Sequence, residues 1–324
     1  MQRWLICRGR GDSPLSASGW TLERHGASRR PSLQKGDLAI AYASVWQAVF
    51  AVVEVVSDPE HDPGRERWQW SFAIRPRVAV ADLHDAPACE EAGIFPQSLW
   101  RHSYIRLSEE QFARARSLVE RAVVRAGYDA IAPAYAEWAA SFASPALATL
   151  ERLLAGREPG SEVLDLGCGN GLPIARALVE RGHRVTGVDS SAAQVARARR
   201  AVPGARFLLA DAVELELPEE SFDAVVSAFV LGHVPRADQP ALLRRVRGWL
   251  RPGGRALLSF GISGTEEVAG WLGAPMFFSS WPPERSRELL AEAGLELEWS
   301  RETPVEEPGH GAVSFLWALA RRLP

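Results

Sequence analysis

The sequence predicts an α/β protein in which a parallel sheet, covered by helices on both faces, follows a smaller β-rich unit. Three observations carry that expectation. From Glu162 onward, short apolar stretches alternate with amphipathic stretches of helical period, the pattern of a parallel sheet with both faces buried. Before that region the apolar stretches are short, Val-rich and parted by turn residues, without the alternation. A chain of 324 residues also exceeds what one hydrophobic core ordinarily organises, so two domains are expected.

In chain order, strands are expected at Arg3–Cys7, Asp37–Ala43 and Ala48–Ser57. A fourth is expected at Trp68–Val80, broken at Pro76, which has no N–H to give a ladder. Arg8–Pro31, rich in Gly, Ser and Arg, is expected to be a long surface loop. Short helices are expected around Pro87–Ala92 and Pro96–Arg101. Ser108 followed by Gln111 is a capping-box signature, which predicts a helix running to about Arg125. The predicted layout is a β-rich domain over 1–115, a connecting helix over 116–127 and an α/β domain over 128–324.

In the second domain, helical stretches Tyr128–Phe142 and Pro145–Leu154 lead into strand Glu162–Leu166. Helix Leu172–Arg181, strand Arg184–Val188, helix Ala192–Ala201 and strand Ala205–Leu209 follow. Then come strand Phe222–Phe229, helix Gln239–Leu250, strand Arg255–Ile262 and helix Pro283–Ala293. Strands Leu295–Glu302 and Ala312–Ala320 close the count at seven, around a turn at 307–311.

Composition excludes several classes. No apolar run is long enough for a bilayer span, and the start of the chain has too short an apolar run for a signal peptide. Cys7, Cys89 and Cys168 lack disulfide or metal-ligand spacing, so no metal is expected and a reducing, cytoplasmic compartment fits. The net charge of −3 gives no global polyanion footprint. Locally, residues 1–35 hold seven basic side chains against two acidic ones, either a solvated surface or a phosphate-binding patch.

The chemistry concentrates after the first strand of the second domain. Asp165 stands at its end, and Gly167, Cys168, Gly169, Asn170 and Gly171 follow. Alternate glycines let the backbone turn sharply and come close to a ligand, at the strand ends where open α/β sheets bind one. A dinucleotide fingerprint would need Gly where Leu172 stands, and Asp165 suits a cationic amine better than phosphates.

Over roughly residues 125–324 the sequence resembles the class I S-adenosylmethionine-dependent methyltransferases, in the small-molecule, type 11-like branch. The resemblance rests on the Asp165-x-Gly167-x-Gly169-x-Gly171 loop, Gly187-Val188-Asp189, Ala210-Asp211-Ala212, Phe222-Asp223-Ala224-Val225-Val226 and Leu250-Arg251-Pro252-Gly253-Gly254, in that order. It implies a Rossmann-like seven-stranded sheet with S-adenosyl-L-methionine as cofactor. It places Asp189 and Ser190 at the ribose, Asp211 and Ala212 at the adenine and Phe229 beside the cofactor. Taken singly, Asp189 or Asp211 reads as a helix cap; in register with the glycine loop each reads as a ligand group. Tyr128-Asp129-x-Ile131-Ala132-x-x-Tyr135 resembles the branch's N-terminal lid. Tyr135 is either a lid residue facing the sulfonium or a helix-packing aromatic.

Methyl transfer from a sulfonium needs positioning and water exclusion more than a catalytic dyad. Acceptor-side residues are expected after the fourth strand, in Ala228–His233, where His233 is either a general base or a packing residue. The aromatic segment Gly273–Trp281 either walls an acceptor pocket or caps the core, and His310 has little claim. Neither the Asn/Asp-Pro-Pro-aromatic tetrapeptide of exocyclic-amine methylases nor the Pro-Cys of cytosine-C5 methylases occurs at this place. Cys168, without a basic partner, reads as a loop filler.

Residues 1–112 resemble, more weakly, the EVE branch of PUA-like domains, small mixed β-barrel-like modules. The resemblance rests on Gly36–Tyr42, Ala51–Ser57, Trp68–Arg75 and the Ser108–Phe112 helix start. It implies a nucleic-acid or modified-nucleobase partner, with Trp20, Trp46, Trp68 and Trp70 as possible cage walls. Trp68 and Trp70 would share one strand face and equally be core. The expected function is methyl transfer to a small-molecule acceptor. The alternatives are a nucleic-acid reader whose second domain methylates RNA or DNA, and a cofactor sensor without turnover.

Overall fold

The structure is a computed structural model that describes residues 2–11, 13–95, 103–141, 145–307 and 311–323. The chain divides into two compact units. The first comprises Met1–Ala126 with Glu267–Ala269 and Pro275–Phe277; the second comprises Gly127–Glu266, Gly270–Ala274 and Phe278–Pro324.

The first unit is a seven-stranded mixed sheet. Its strands are β1 (Arg3–Arg8), β2 (Arg24–Ala27), β3 (Leu38–Ala43), β4 (Ala48–Val55), β5 (Glu60–His61), β6 (Trp70–Ala79) and β7 (Tyr104–Arg106). They run β2-β6-β4-β3-β1-β7, with β5 on β6; β1 and β3 are parallel and the other pairs antiparallel. Strands β3 and β4, apolar at nearly every position, are covered on both faces. Side chains bridge toward the edge strand β2. The Arg8 guanidinium donates to the carbonyls of Thr21 and Arg24 at 2.8 and 2.7 Å. His25 lies with Nε2 3.1 Å from the Ser103 carbonyl, and burial pushes its pKa down to about 4. Asp37 ties the start of the sheet together, accepting from Gln2 N at 2.8 Å, Trp4 Nε1 at 3.0 Å and Gln34 N at 3.1 Å.

Several expectations change here. The Arg8–Pro31 stretch contains β2, whose pairing to β6 is made by backbone and leaves little trace in composition. Pro76 does not break β6: Val53 faces Pro76 and Val52 faces Val78, so Arg77 is an extra, bulged residue of β6 beside the missing N–H. Trp68 lies outside β6 in a left-handed conformation (φ 50°), so it does not share a strand face with Trp70. The first short helix is a 3-10 turn at Cys89–Ala92; the second, Pro96–Arg101, lies outside the described residues.

Helix α1 (Glu109–Ser141) starts at the expected capping box: Gln111 N donates to Ser108 Oγ at 3.0 Å and Ser108 N to Gln111 Oε1 at 3.1 Å. Two helices were expected, and one continuous helix is found, with Pro133 inside it. Burial of Gly127, Ile131 and Ala132 outweighs the local cost of a glycine and a proline.

The second unit adds α2 (Ala146–Leu154), β8 (Glu162–Leu166), α3 (Ile174–Glu180), β9 (Arg184–Asp189), α4 (Ala192–Ala201), β10 (Arg206–Leu209) and β11 (Phe222–Ser227). It continues through α5 (Gln239–Trp249), β12 (Leu250–Gly261), α6 (Pro283–Glu292), β15 (Leu295–Glu307) and β16 (Gly311–Arg322), while β13 (Glu266–Trp271) and β14 (Ala274–Ser279) have residues counted in each unit. The seven-stranded sheet runs β10-β9-β8-β11-β12-β16-β15, parallel except for β16, which is antiparallel to both neighbours. Adjacent strands β8 and β11 form the switch point where strand order reverses, and a ligand crevice opens beyond their C-terminal ends. The segment around Gly273 forms the hairpin β13–β14, turned at Leu272 (φ 49°) and Gly273 (φ 91°). Its Leu-Gly turn lacks the Asn-Gly or Asp-Gly signature by which such hairpins are usually recognised.

Candidate cofactor and acceptor site

The loop after β8 is shaped by its three glycines, all left-handed: Gly167 at φ 75°, Gly169 at 52° and Gly171 at 80°. Each is glycine for a different reason. A Cβ on Gly167 would stand 2.0 Å from Val230 Cγ2, so the loop after β11 packs directly on its backbone. One on Gly171 would press on Val202 at 3.1 Å, while one on Gly169 would face the Tyr135 ring at 3.6 Å. Gly167 N and Cys168 N donate to the Val188 carbonyl at 2.7 and 2.9 Å, which fixes the loop to β9. Asn170 Oδ1 accepts from Leu172 N at 3.1 Å and closes the turn. Cys168 is buried, and burial pushes its thiol far above the usual range.

Two carboxylates meet at this loop. Asp189, at the end of β9, accepts from Gly169 N through Oδ2 and from Ser191 N through Oδ1, both at 2.9 Å. Burial raises its pKa, and the N–H groups of Ser191, Gly169 and Ser190 offset part of the rise. Asp165 is 2% exposed, and its Oδ2 has no hydrogen-bond partner among the described residues. Burial first, and the Asp189 charge second, push its pKa up to about 7. Such a crevice disfavours phosphates and favours a cation. Asp211 Oδ1 accepts from Val213 N at 2.9 Å, and Ala212 packs partly buried beside it.

Sequence reasoning named Asp129 only within the lid motif and gave it no role of its own. Its Oδ1 accepts from Ser191 Oγ at 2.6 Å and from Ala193 N at 2.9 Å, while Ser191 Oγ caps α4 by accepting from Gln194 N at 3.1 Å. No local signal marks it, since an Asp on the polar face of an amphipathic helix is ordinarily solvated and its partners here lie 62 and 64 residues away.

Tyr135 lies against the glycine loop, and burial together with the Asp189 and Asp165 charges keeps its phenol protonated. Around it stand Tyr128, Trp138 and Trp271, at ring-centroid distances of 5.6, 5.8 and 6.0 Å. His233, in a 3-10 turn after β11, places Nε2 3.0 Å from Tyr128 Oη and its ring 5.1 Å from Phe278. The segment Gly273–Trp281 therefore divides: Phe278 joins this aromatic cluster, while Met276 and Phe277 are core. Phe229 is left-handed (φ 62°), donates its N–H to Ser259 Oγ at 2.6 Å, and packs its ring on Phe315 and Trp317. His310 lies outside the described residues. The four tryptophans of the first unit have separate neighbours: Trp20 packs on Phe50, Trp46 on His84, Trp70 on His61, and Trp68 lies under Arg10 and Arg67.

Strand order, glycine loop and acidic crevice together define a class I methyltransferase fold. Residues 163–254 match the family described as methyltransferase domain. The chain is similar to 27-O-demethylrifamycin SV methyltransferase of Amycolatopsis mediterranei, 40% identical over 114 residues, or 32% of this chain and 41% of that one. It is 34% identical over 128 residues to a ubiquinone biosynthesis O-methyltransferase of Idiomarina loihiensis, covering 35% of this chain and 51% of that one. The chain thus spans about half the length, or less, of these curated relatives. Among solved structures, 1,6-didemethyltoxoflavin-N1-methyltransferase of Burkholderia thailandensis, with bound 1,6-didemethyltoxoflavin and S-adenosylhomocysteine, matches at a TM-score of 0.50 and 26% identity. That match covers 63% of this chain and 88% of that one. The second unit carries an S-adenosylmethionine-dependent methyltransferase domain with a Rossmann-like mixed sheet.

Its residues fit that cofactor on their own chemistry. The unpartnered Asp165 Oδ2 suits an ammonium, the aromatic faces suit a sulfonium, and the backbone at Gly169 carries no side chain where a ligand must approach.

Proposed function

We propose that the protein transfers the methyl group of S-adenosylmethionine to a small-molecule acceptor. The observation that carries this reading is the unsatisfied acidic crevice at the glycine loop with an aromatic cluster beside it. Bound there, the cofactor supplies an electrophilic methyl with a neutral leaving group. Asp165 and the loop Gly167–Gly171 would hold its amino-acid end, Asp189 and Ser190 its ribose, and Asp211 and Ala212 its adenine. Tyr135 would cover the sulfonium, and Phe229 would shape the crevice floor. Both named relatives and the solved neighbour carry names of small-molecule methyltransferases, which supports the acceptor class. S-adenosylmethionine and S-adenosylhomocysteine are expected to raise the melting temperature, by about 2.7 kcal/mol of stabilisation at a hundredfold excess over Kd. NAD should not. No shift with either sulfur ligand would remove the reading.

The first unit supports a second, narrower reading as an EVE- or PUA-like module that meets a nucleic acid or a modified base. Arg10 and Arg67 lie 5.5 Å from the Trp68 ring, which is 40% exposed, and Arg30 lies 5.6 Å from Trp70. An exposed ring beside guanidiniums suits stacked bases and phosphates. Mobility shifts of single-stranded DNA and RNA by the full chain should then weaken steeply with salt. A salt-independent shift, or none, removes this reading and leaves the methyltransferase reading standing.

A further inference from the structure

We infer that the Gln194 amide is a ligand group of the cofactor crevice, donating to one hydroxyl oxygen of the cofactor's ribose while Asp189 accepts the hydroxyl protons. The inference rests on the methyltransferase reading and deepens it. Gln194 stands in the first turn of α4, fully buried, and neither its Oε1 nor its Nε2 has a hydrogen-bond partner among the described residues. A buried amide with neither bond made costs stability that an apolar side chain of the same size does not. A use local to the helix exists, and it is blocked. Ser191-x-x-Gln194 spells a capping box, and its first half is made, with Gln194 N donating to Ser191 Oγ at 3.1 Å. The second half would bring the Gln194 side chain to Ser191 N, but that N–H already donates to Asp189 Oδ1 at 2.9 Å.

Placement decides what the amide serves. Residues four apart share a helix face, and Ala198, one turn after Gln194, lies 3.4 Å from where a Cβ on Gly171 would stand. Gln194 therefore occupies the face of α4 that packs on the glycine loop. Helical side chains lean toward the helix N-terminus, which here is the turn that joins Ser191 to Asp189. The amide thus lies between the two groups that the proposed reading gives to the cofactor, the glycine loop and Asp189. The chemistry is complementary as well. As a carboxylate, Asp189 only accepts, and both its oxygens already hold backbone N–H groups. A ribose diol can give it protons, but the hydroxyl oxygens keep lone pairs that a carboxylate cannot serve. The Nε2 N–H of Gln194 serves one of them. With both groups in place the site reads each hydroxyl as donor and acceptor, where a carboxylate alone reads only the donor.

The test is a calorimetric cycle on the full chain, with S-adenosylhomocysteine and its 2′-deoxy and 3′-deoxy analogues against the wild type and Gln194→Met. The variant should bind S-adenosylhomocysteine about tenfold more weakly, the scale of one hydrogen bond. For one of the two analogues, the penalty for the missing hydroxyl should be about tenfold smaller in the variant than in the wild type, and for the other it should be the same in both. Without ligand, Gln194→Met should melt no earlier than the wild type, because methionine fills the space and strands no polar atom. Gln194→Leu repeats the comparison with a side chain of different shape. Equal penalties in the wild type and both variants, for both analogues, overturn the inference whatever the melting temperatures. So does a variant that melts earlier yet binds S-adenosylhomocysteine as tightly as the wild type, because the amide then serves the fold. Either result leaves the methyltransferase reading in place; failure of the wild type to bind S-adenosylhomocysteine removes both.

Discussion

Without ligand at pH 8, Asp165→Asn is expected to unfold later than the wild type while binding S-adenosylhomocysteine 10- to 100-fold more weakly. The cause is one carboxylate oxygen buried without a donor beside a second carboxylate. The folded pKa of about 7 lies above the ordinary value of 3.8. Between those values the unfolded chain is ionised while the folded chain still holds the proton. The unliganded stability therefore falls as pH rises through this window, and the deficit is complete above about 7. A shift of this size corresponds to at most about 4 kcal/mol, and a gain of about 1–3 kcal/mol is expected for the amide. The lost affinity is that of a charge-assisted hydrogen bond to the ligand's ammonium. In the wild type, affinity should rise as pH rises toward 7, because the cationic group binds the ionised form and releases a proton. Melting curves at pH 5 and 8 with calorimetry across that range provide the check. A flat affinity profile, or a variant no more stable than the wild type at pH 8, would show that Asp165 does not face the ligand.

Asp189→Ala is expected to act on loop and ligand together. Both carboxylate oxygens already receive backbone N–H groups, from Gly169 and Ser191, and each has a lone pair left for a ribose hydroxyl. Removal strands two donors and frees the Gly169 end of the loop, which Gly167 N and Cys168 N still tie to β9. A loss of about 2–4 kcal/mol of stability should accompany a cofactor affinity at least 100-fold lower. Had Asp189 been a ligand group alone, the unliganded protein would melt unchanged. Denaturant unfolding of the unliganded variant decides between the two, and unchanged cofactor affinity would mean that β9 does not end at the ribose.

Much of the second unit was legible because its strands are buried on both faces and its helices amphipathic, so periodicity carried the number of strands in its large sheet. Helix α4 falls where the pattern placed it, at Ala192–Ala201. The glycine loop was legible because backbone conformation, not side-chain chemistry, dictates Gly at 167, 169 and 171. What escaped was non-local. Strand β2 takes its place from β6, the β13–β14 hairpin turns on Leu-Gly, and Pro133 sits in a helix that tertiary burial keeps whole. The partners of Asp129 and His233 lie 62 and 105 residues away in sequence, beyond the reach of any local pattern.

The hydrogen bonds from Ser191 Oγ and Ala193 N to Asp129 join the helix that carries Tyr128 and Tyr135 to the turn that presents Asp189. On the proposed reading, one anchor would therefore set both the aromatic cluster beside the crevice and the grip on the cofactor. Occupancy of either subsite that steadies this anchor lowers the ordering cost of filling the other, and thermodynamic reciprocity makes the gain equal in both directions. On that reading, Asp129 is the point where the cooperativity between the two ligands would be set.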